Sequence, residues 1–94
     1  MSNAMFITGV GGGIGTATAR HFVSKGWHVG GCDLSAGAVE SLADAIGRER
    51  FTPYVADVRD RAAVERAIDD FAARCDGRLG AVFANAGVLF MAPD

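Results

Sequence analysis

The stretch Thr8 to Gly15, TGVGGGIG, places five glycines in eight residues directly after the apolar run Met5, Phe6, Ile7. Each glycine costs about 0.5–1 kcal/mol relative to alanine inside a regular element, so this density needs a reason. Backbone without Cβ atoms can approach a phosphate closely, and a helix N-terminus offers that phosphate unpaired N–H groups and partial positive charge. Asp33 follows Gly15 by 18 residues, close to the roughly 20-residue offset at which an acidic side chain reaches ribose hydroxyls. A carboxylate there accepts hydrogen bonds from a diol and repels a 2′-phosphate. Neither Arg nor Lys lies within Val10 to Gly12, and Leu34 follows Asp33. The expected ligand is therefore NAD in preference to NADP. The competing readings are a glycine hairpin without ligand and Asp33 as a helix cap. The hairpin needs a second strand within a few residues, where a helical pattern comes instead.

The elements that must position these residues can be read from periodicity. Short apolar runs at Met5 to Thr8, Trp27 to Cys32, Phe51 to Val55 and Ala81 to Asn85 alternate with helix-period segments, the pattern of parallel strands joined by helices. The first helix is expected from Gly13 to about Lys25, with Gly15, Ala19, Phe22 and Val23 on one face and Gly26 past its end. The second runs from an N-cap at Ser35 through Val39, Leu42, Ala43 and Ile46 to Gly47. The third has Asp60 as its cap, an apolar stripe of Val64, Ala67, Ile68, Phe71, Ala72 and Cys75, and Gly77 at its end. Strands this apolar on both faces belong in a covered parallel sheet. Right-handed crossovers give an α/β fold, a partial Rossmann βαβαβαβ unit with strand order 3-2-1-4. The glycine turn then lies at the carboxyl edge of the central strand, where open α/β sheets bind ligands.

The spacing G-x-G-x-x-G does not fit, because its third glycine would fall on Ile14, Thr16 or Thr18. T-G-x-x-x-G-x-G does fit, with Thr8, Gly9, Gly13 and Gly15. Asp57 and Val58 follow the third strand, and Asn85-Ala86-Gly87 ends the fourth. Singly, such residues are ordinary turn punctuation. Together and in this order they resemble the short-chain dehydrogenase/reductase family over essentially all of Met5 to Asp94. The resemblance implies that Gly9, Val10, Gly11, Gly12, Gly13, Ile14 and Gly15 cradle the pyrophosphate of a dinucleotide. It implies that Asp33 and Leu34 meet the adenosine ribose, that Asp57 and Val58 frame the adenine, and that Asn85, Ala86 and Gly87 support the sheet and line the cofactor. Gly12 stands where the family often has serine, and Ala84 where an asparagine often precedes the N-A-G, so contacts at Gly12 must come from backbone.

By the same resemblance, hydride transfer needs a Tyr-x-x-x-Lys pair and an upstream serine, the lysine lowering the tyrosine pKa for acid–base work. The sole tyrosine is Tyr54 and the sole lysine Lys25, with Val58 four residues beyond the tyrosine. No catalytic residue is therefore assigned. Tyr54 reads as a packing residue, Lys25 as a helix-end cation, and His21 and His28 lie far from the ligand edge. The expectation is an N-terminal, cofactor-binding part of an NAD-dependent oxidoreductase, inactive alone; the alternative is a stand-alone nucleotide-binding or interaction module.

Composition sets the outer bounds. Ninety-four residues, half of them hydrophobic, make at most one domain, burying only about 60–65% of the unfolded surface. A net charge of −2, with eight arginines spread along the chain, offers no basic stripe for nucleic acid or a lipid surface. The longest apolar run, Val88 to Pro93, is far short of the roughly 20 residues of a membrane span. Cys32 and Cys75 form no metal or disulfide pattern and suit a reducing cytoplasm. Residues 1–4 read as an expression-vector remnant, leaving 5–94 as the domain. The uncovered edge of the fourth strand or the apolar Val88–Pro93 tail is expected to drive homo-oligomerisation.

Overall fold

A computed structural model describes residues 3–84. Its elements run β1 (Ala4–Thr8), α1 (Gly13–Ser24), β2 (His28–Asp33), α2 (Ala36–Ile46), β3 (Phe51–Val55), α3 (Arg61–Arg74) and β4 (Leu79–Ala84). All neighbouring strands are parallel, in the order β3-β2-β1-β4. The expected α/β topology is therefore present. β1 is buried along its whole length, as a central strand covered on both faces must be.

Two apolar layers sandwich the sheet. Met5, Ile7, Val29 and Phe51 pack with Ala19, Val39 and Leu42 on one face, while Phe6 and Cys32 pack with Val64, Ala67 and Phe71 on the other. The sheet carries two consecutive glycines, Gly30 and Gly31, whose role periodicity did not show. A Cβ on Gly30 would stand 2.7 Å from the Phe71 ring, and one on Gly31 would stand 2.8 Å from Val10. Both glycines therefore admit a neighbour flat against the sheet. Pro53 lies on β3, which among the described strands pairs only with β2, an edge position where a missing N–H is tolerated.

Several boundaries differ from the sequence reading. β1 begins at Ala4, paired with His28 and Leu79, and the Asn3 carbonyl accepts from the His28 N–H at 2.8 Å. β2 begins after Trp27, whose ring meets Phe22 edge-on at 5.0 Å. β4 starts at Leu79 because its register with β1 shifts between Ala4 and Met5, taking Gly80 into the strand. Asn85 lies outside the described residues. The end of α3 has the expected Gly77 in the left-handed region, at φ 74°, and a second left-handed residue before it, Asp76, the first past the cap, at φ 56°. Its N–H reaches Ala73 O at 3.2 Å and the Gly77 N–H reaches Ala72 O at 2.8 Å, the paired bonds of a Schellman end.

Candidate functional site

Thr8 closes β1, and the chain turns through Gly9, at φ 67°, where a side chain would be strained. The Val10 N–H then donates to Cys32 O on β2 at 3.1 Å, and its C=O accepts the Thr16 hydroxyl at 2.8 Å. The Val10 side chain is fully buried against Gly31. Val10, expected among the ligand-contacting residues, thus sits beneath the turn as its anchor, with both backbone groups engaged inside the protein.

Gly11, Gly12 and Gly13 differ from one another. A Cβ on Gly11 would stand 2.9 Å from both Ala38 Cβ and Asp33 Oδ2, so packing within the protein already demands glycine there. Gly12 has only the Gly9 carbonyl within ordinary contact, and a Cβ on Gly13 would meet nothing within 4 Å among the described residues. Gly12 is the N-cap of α1 and makes no side-chain capping bond. α2 and α3, by contrast, are capped by Ser35, accepting from the Ala38 N–H at 3.2 Å, and by Asp60, accepting from the Ala63 N–H at 3.1 Å. The first-turn N–H groups of a helix have no intrahelical partner, and at α1 no side-chain cap from Gly12 replaces one. Ile14 is 68% exposed and Gly15 is buried.

Asp33 ends β2 beside this turn. Its Oδ2 accepts the Gly11 N–H at 3.0 Å and its Oδ1 the Ser35 N–H at 3.1 Å. An open cleft of about 280 Å³ lies between Asp33 and Asp57, lined by Gly9, Asp33, Leu34, Asp57, Val58 and Arg59. Arg59 grips Asp57 through a fork: Nε to Oδ1 at 3.1 Å and Nη2 to Oδ2 at 2.9 Å, with its own N–H also on Oδ1 at 2.9 Å. That grip holds the Asp57 carboxyl down at about 2 from an ordinary 3.8. Sequence reasoning passed over Arg59, although an Asp-x-Arg pair on a turn was its visible signal. Leu34 and Val55 are exposed apolar residues at the same carboxyl edge, Val55 being the register partner of Asp33.

Cys32 lies under the turn. Burial pushes its thiol up to about 11, with the Gly9 N–H acting the other way and the Asp33 charge adding to the rise, so it stays protonated and unreactive at neutral pH. Tyr54 is raised as well, first by burial and then by its hydrogen bond to Asp70 at 2.6 Å, which places it with α3 and away from the cleft. Among the described residues no group of three or more His, Cys, Asp or Glu side chains could hold a metal, and no helix is long and apolar enough to cross a membrane. Of the expected site residues, the structure brings Gly9, Asp33, Leu34, Asp57 and Val58 to one cleft and sets the uncapped start of α1 on the same turn. Asn85, Ala86 and Gly87 lie outside the described residues.

A parallel sheet with a glycine turn at the carboxyl end of its central strand, opening on an acid-rimmed cleft, defines an α/β nucleotide-binding fold. The comparisons narrow that class. The short chain dehydrogenase family model matches residues 3–94, and the chain belongs to that family. D-threitol dehydrogenase of Mycolicibacterium smegmatis is 37% identical over 89 residues, covering 93% of this chain and 34% of its own length. Meso-2,3-butanediol dehydrogenase of Serratia marcescens is 34% identical over 87 residues, with 93% and 34% covered. Among solved structures, a double mutant of a Serratia marcescens short-chain dehydrogenase/reductase superposes with a TM-score of 0.82 at 29% identity, covering 96% of this chain and 38% of its own. A 3-ketoacyl-(acyl-carrier-protein) reductase of Brucella melitensis, solved with NADH, gives a TM-score of 0.77 at 26% identity, with 85% and 32% covered. The chain thus spans about a third of the length of the relatives it matches, and a Tyr-x-x-x-Lys pair does not occur in its sequence.

Proposed function

We propose that this chain is the cofactor-binding part of an NAD(H)-dependent oxidoreductase that moves a hydride between nicotinamide and an alcohol or carbonyl. The observation that carries the reading is the start of α1: a helix without a side-chain cap, where a Cβ on Gly13 would enter open space, on the turn that opens on the cleft between Asp33 and Asp57. Backbone N–H groups of Gly13, Ile14 and Gly15 would face the pyrophosphate, with Gly9 and Gly11 shaping the turn, Val10 anchoring it and the Gly12 N–H closing it on the Gly9 carbonyl at 3.2 Å. Asp33 and Leu34 would take the ribose, Asp57 and Val58 the adenine, and Asn85, Ala86 and Gly87 the stretch toward the nicotinamide. The nicotinamide itself supplies the hydride chemistry. This chain's residues bind and orient the adenosine and diphosphate, and the catalytic Tyr-x-x-x-Lys would come from outside the 94 residues.

Asp33 favours NAD over NADP, since a 2′-phosphate would meet a carboxylate and no Arg or Lys in the glycine turn. Calorimetry with NAD, NADP and ADP-ribose tests the reading. NAD should bind at least about tenfold more tightly than NADP, about 1.4 kcal/mol, and ADP-ribose should match NAD because the adenosine half carries the affinity. Equal affinity for NAD and NADP would contradict the assignment of Asp33. Cys32 and Cys75, without a disulfide pattern, favour a cytoplasmic location, and β4, which pairs only with β1 among the described strands, would serve as an interface between copies.

A further inference from the structure

We propose that Asp33 is the positioning residue of the glycine turn, so that the group reading the ribose diol also fixes the seat of the diphosphate. The inference rests on the nucleotide-binding reading above and adds a second role to one of its residues. A carboxylate has about four acceptor directions. Two are spent inside the protein, Oδ2 on the Gly11 N–H at 3.0 Å and Oδ1 on the Ser35 N–H at 3.1 Å. One direction remains on each oxygen, which matches the two O–H donors of a vicinal diol. Gly11 belongs to the turn and Ser35 caps α2, so a single side chain ties the phosphate loop to the start of the next helix. The packing agrees. A Cβ on Gly11 would run into Asp33 Oδ2 and Ala38 Cβ, both at 2.9 Å, and Ala38 is the residue whose N–H Ser35 caps. Gly11 is therefore glycine so that Asp33 can close on it, whereas Gly13 is free of that demand.

Binding of ADP and of 2′,3′-dideoxy-ADP to the unaltered chain and to Asp33→Ala separates the two roles. If Asp33 only reads the diol, the variant binds the dideoxy ligand as the unaltered chain does. With Asp33 holding the turn, the variant loses at least about fivefold even for the dideoxy ligand, as expected for one net hydrogen bond in the binding seat. Removing the carboxylate also lessens repulsion of the diphosphate, so any loss arises against that trend. Amide exchange at Gly11, read without ligand, gives the second measurement. Protection in the unaltered chain that disappears in Asp33→Ala, or in the similarly shaped but acceptor-free Asp33→Leu where the alanine variant does not fold, supports the role. Exchange at the rate of an open loop in the unaltered chain overturns it. Failure of the unaltered chain to bind ADP would instead sink the nucleotide-binding reading, and the Gly11 amide distinguishes the two outcomes.

Discussion

At the scale of single residues, the candidate site is rimmed by two carboxylates held in different ways. Asp33 is held by backbone N–H groups, Asp57 by the Arg59 guanidinium. The second arrangement has a consequence for pH. Because Arg59 lowers the folded-state pKa of Asp57 to about 2 from 3.8, the pair stabilises the fold fully above about pH 4 and loses that contribution as pH falls toward 2. Urea midpoints measured across this window should fall with pH, and Arg59→Gln should flatten that part of the profile. The magnitude will be small, since the Arg59 side chain is 79% exposed and water screens the pair. Gly31→Ala should act more strongly, because its methyl would press into Val10 beneath the turn; overpacking of this kind costs about 1–3 kcal/mol, readable by thermal melting. Asp33 and Asp57 were legible from their places after strands. Gly30, Gly31 and the Asp33–Gly11 contact were not, because each depends on a partner about 20 or more residues away whose distance no local pattern encodes.

At the scale of elements, helix ends carried most of what the sequence revealed. Ser35 and Asp60 cap as their residue types require, and Gly26 takes φ 89° past α1. The α3 end shows where such reading stops. Gly77 is left-handed as its residue type suggests, at φ 74°, yet Asp76 before it is left-handed too, at φ 56°, because α3 keeps its Phe71 and Val64 stripe packed until Arg74. Left-handed backbone costs a residue with a Cβ roughly 1 kcal/mol or more, although aspartate tolerates it better than most. Asp76→Gly should therefore raise stability by about 0.5–1 kcal/mol, whereas Gly26→Ala should lower it by a similar amount; denaturant unfolding of both variants checks the pair. Strand starts were misplaced by one or two residues because pairing, not apolar content, decides them. Ala4 joins β1 by bonding to its neighbours, and Leu79 joins β4 through a register shift.

At the scale of the whole molecule, the strand order 3-2-1-4 puts β1 in the middle, so one turn faces the ends of β2, β3 and β4 at once. Alternation and crossover handedness point to the parallel layered sheet, and the mononucleotide-binding pattern supplies the order, which is why the topology was legible in the sequence. It also leaves β4 with an unpaired side among the described strands, and such an edge pairs readily with another chain. Light scattering at high micromolar concentration should show self-association; a monomer there would count against an edge interface. The claim on which the account depends is that the glycine turn and the two carboxylates form one nucleotide site. Titration of the isotopically labelled chain with ADP-ribose, followed by amide NMR, tests it most directly. The account predicts saturable shifts confined to Gly9–Gly15, Asp33–Leu34 and Asp57–Arg59, with the exposed face of α3 unmoved. Shifts scattered over the surface, or none at millimolar ligand, would contradict it.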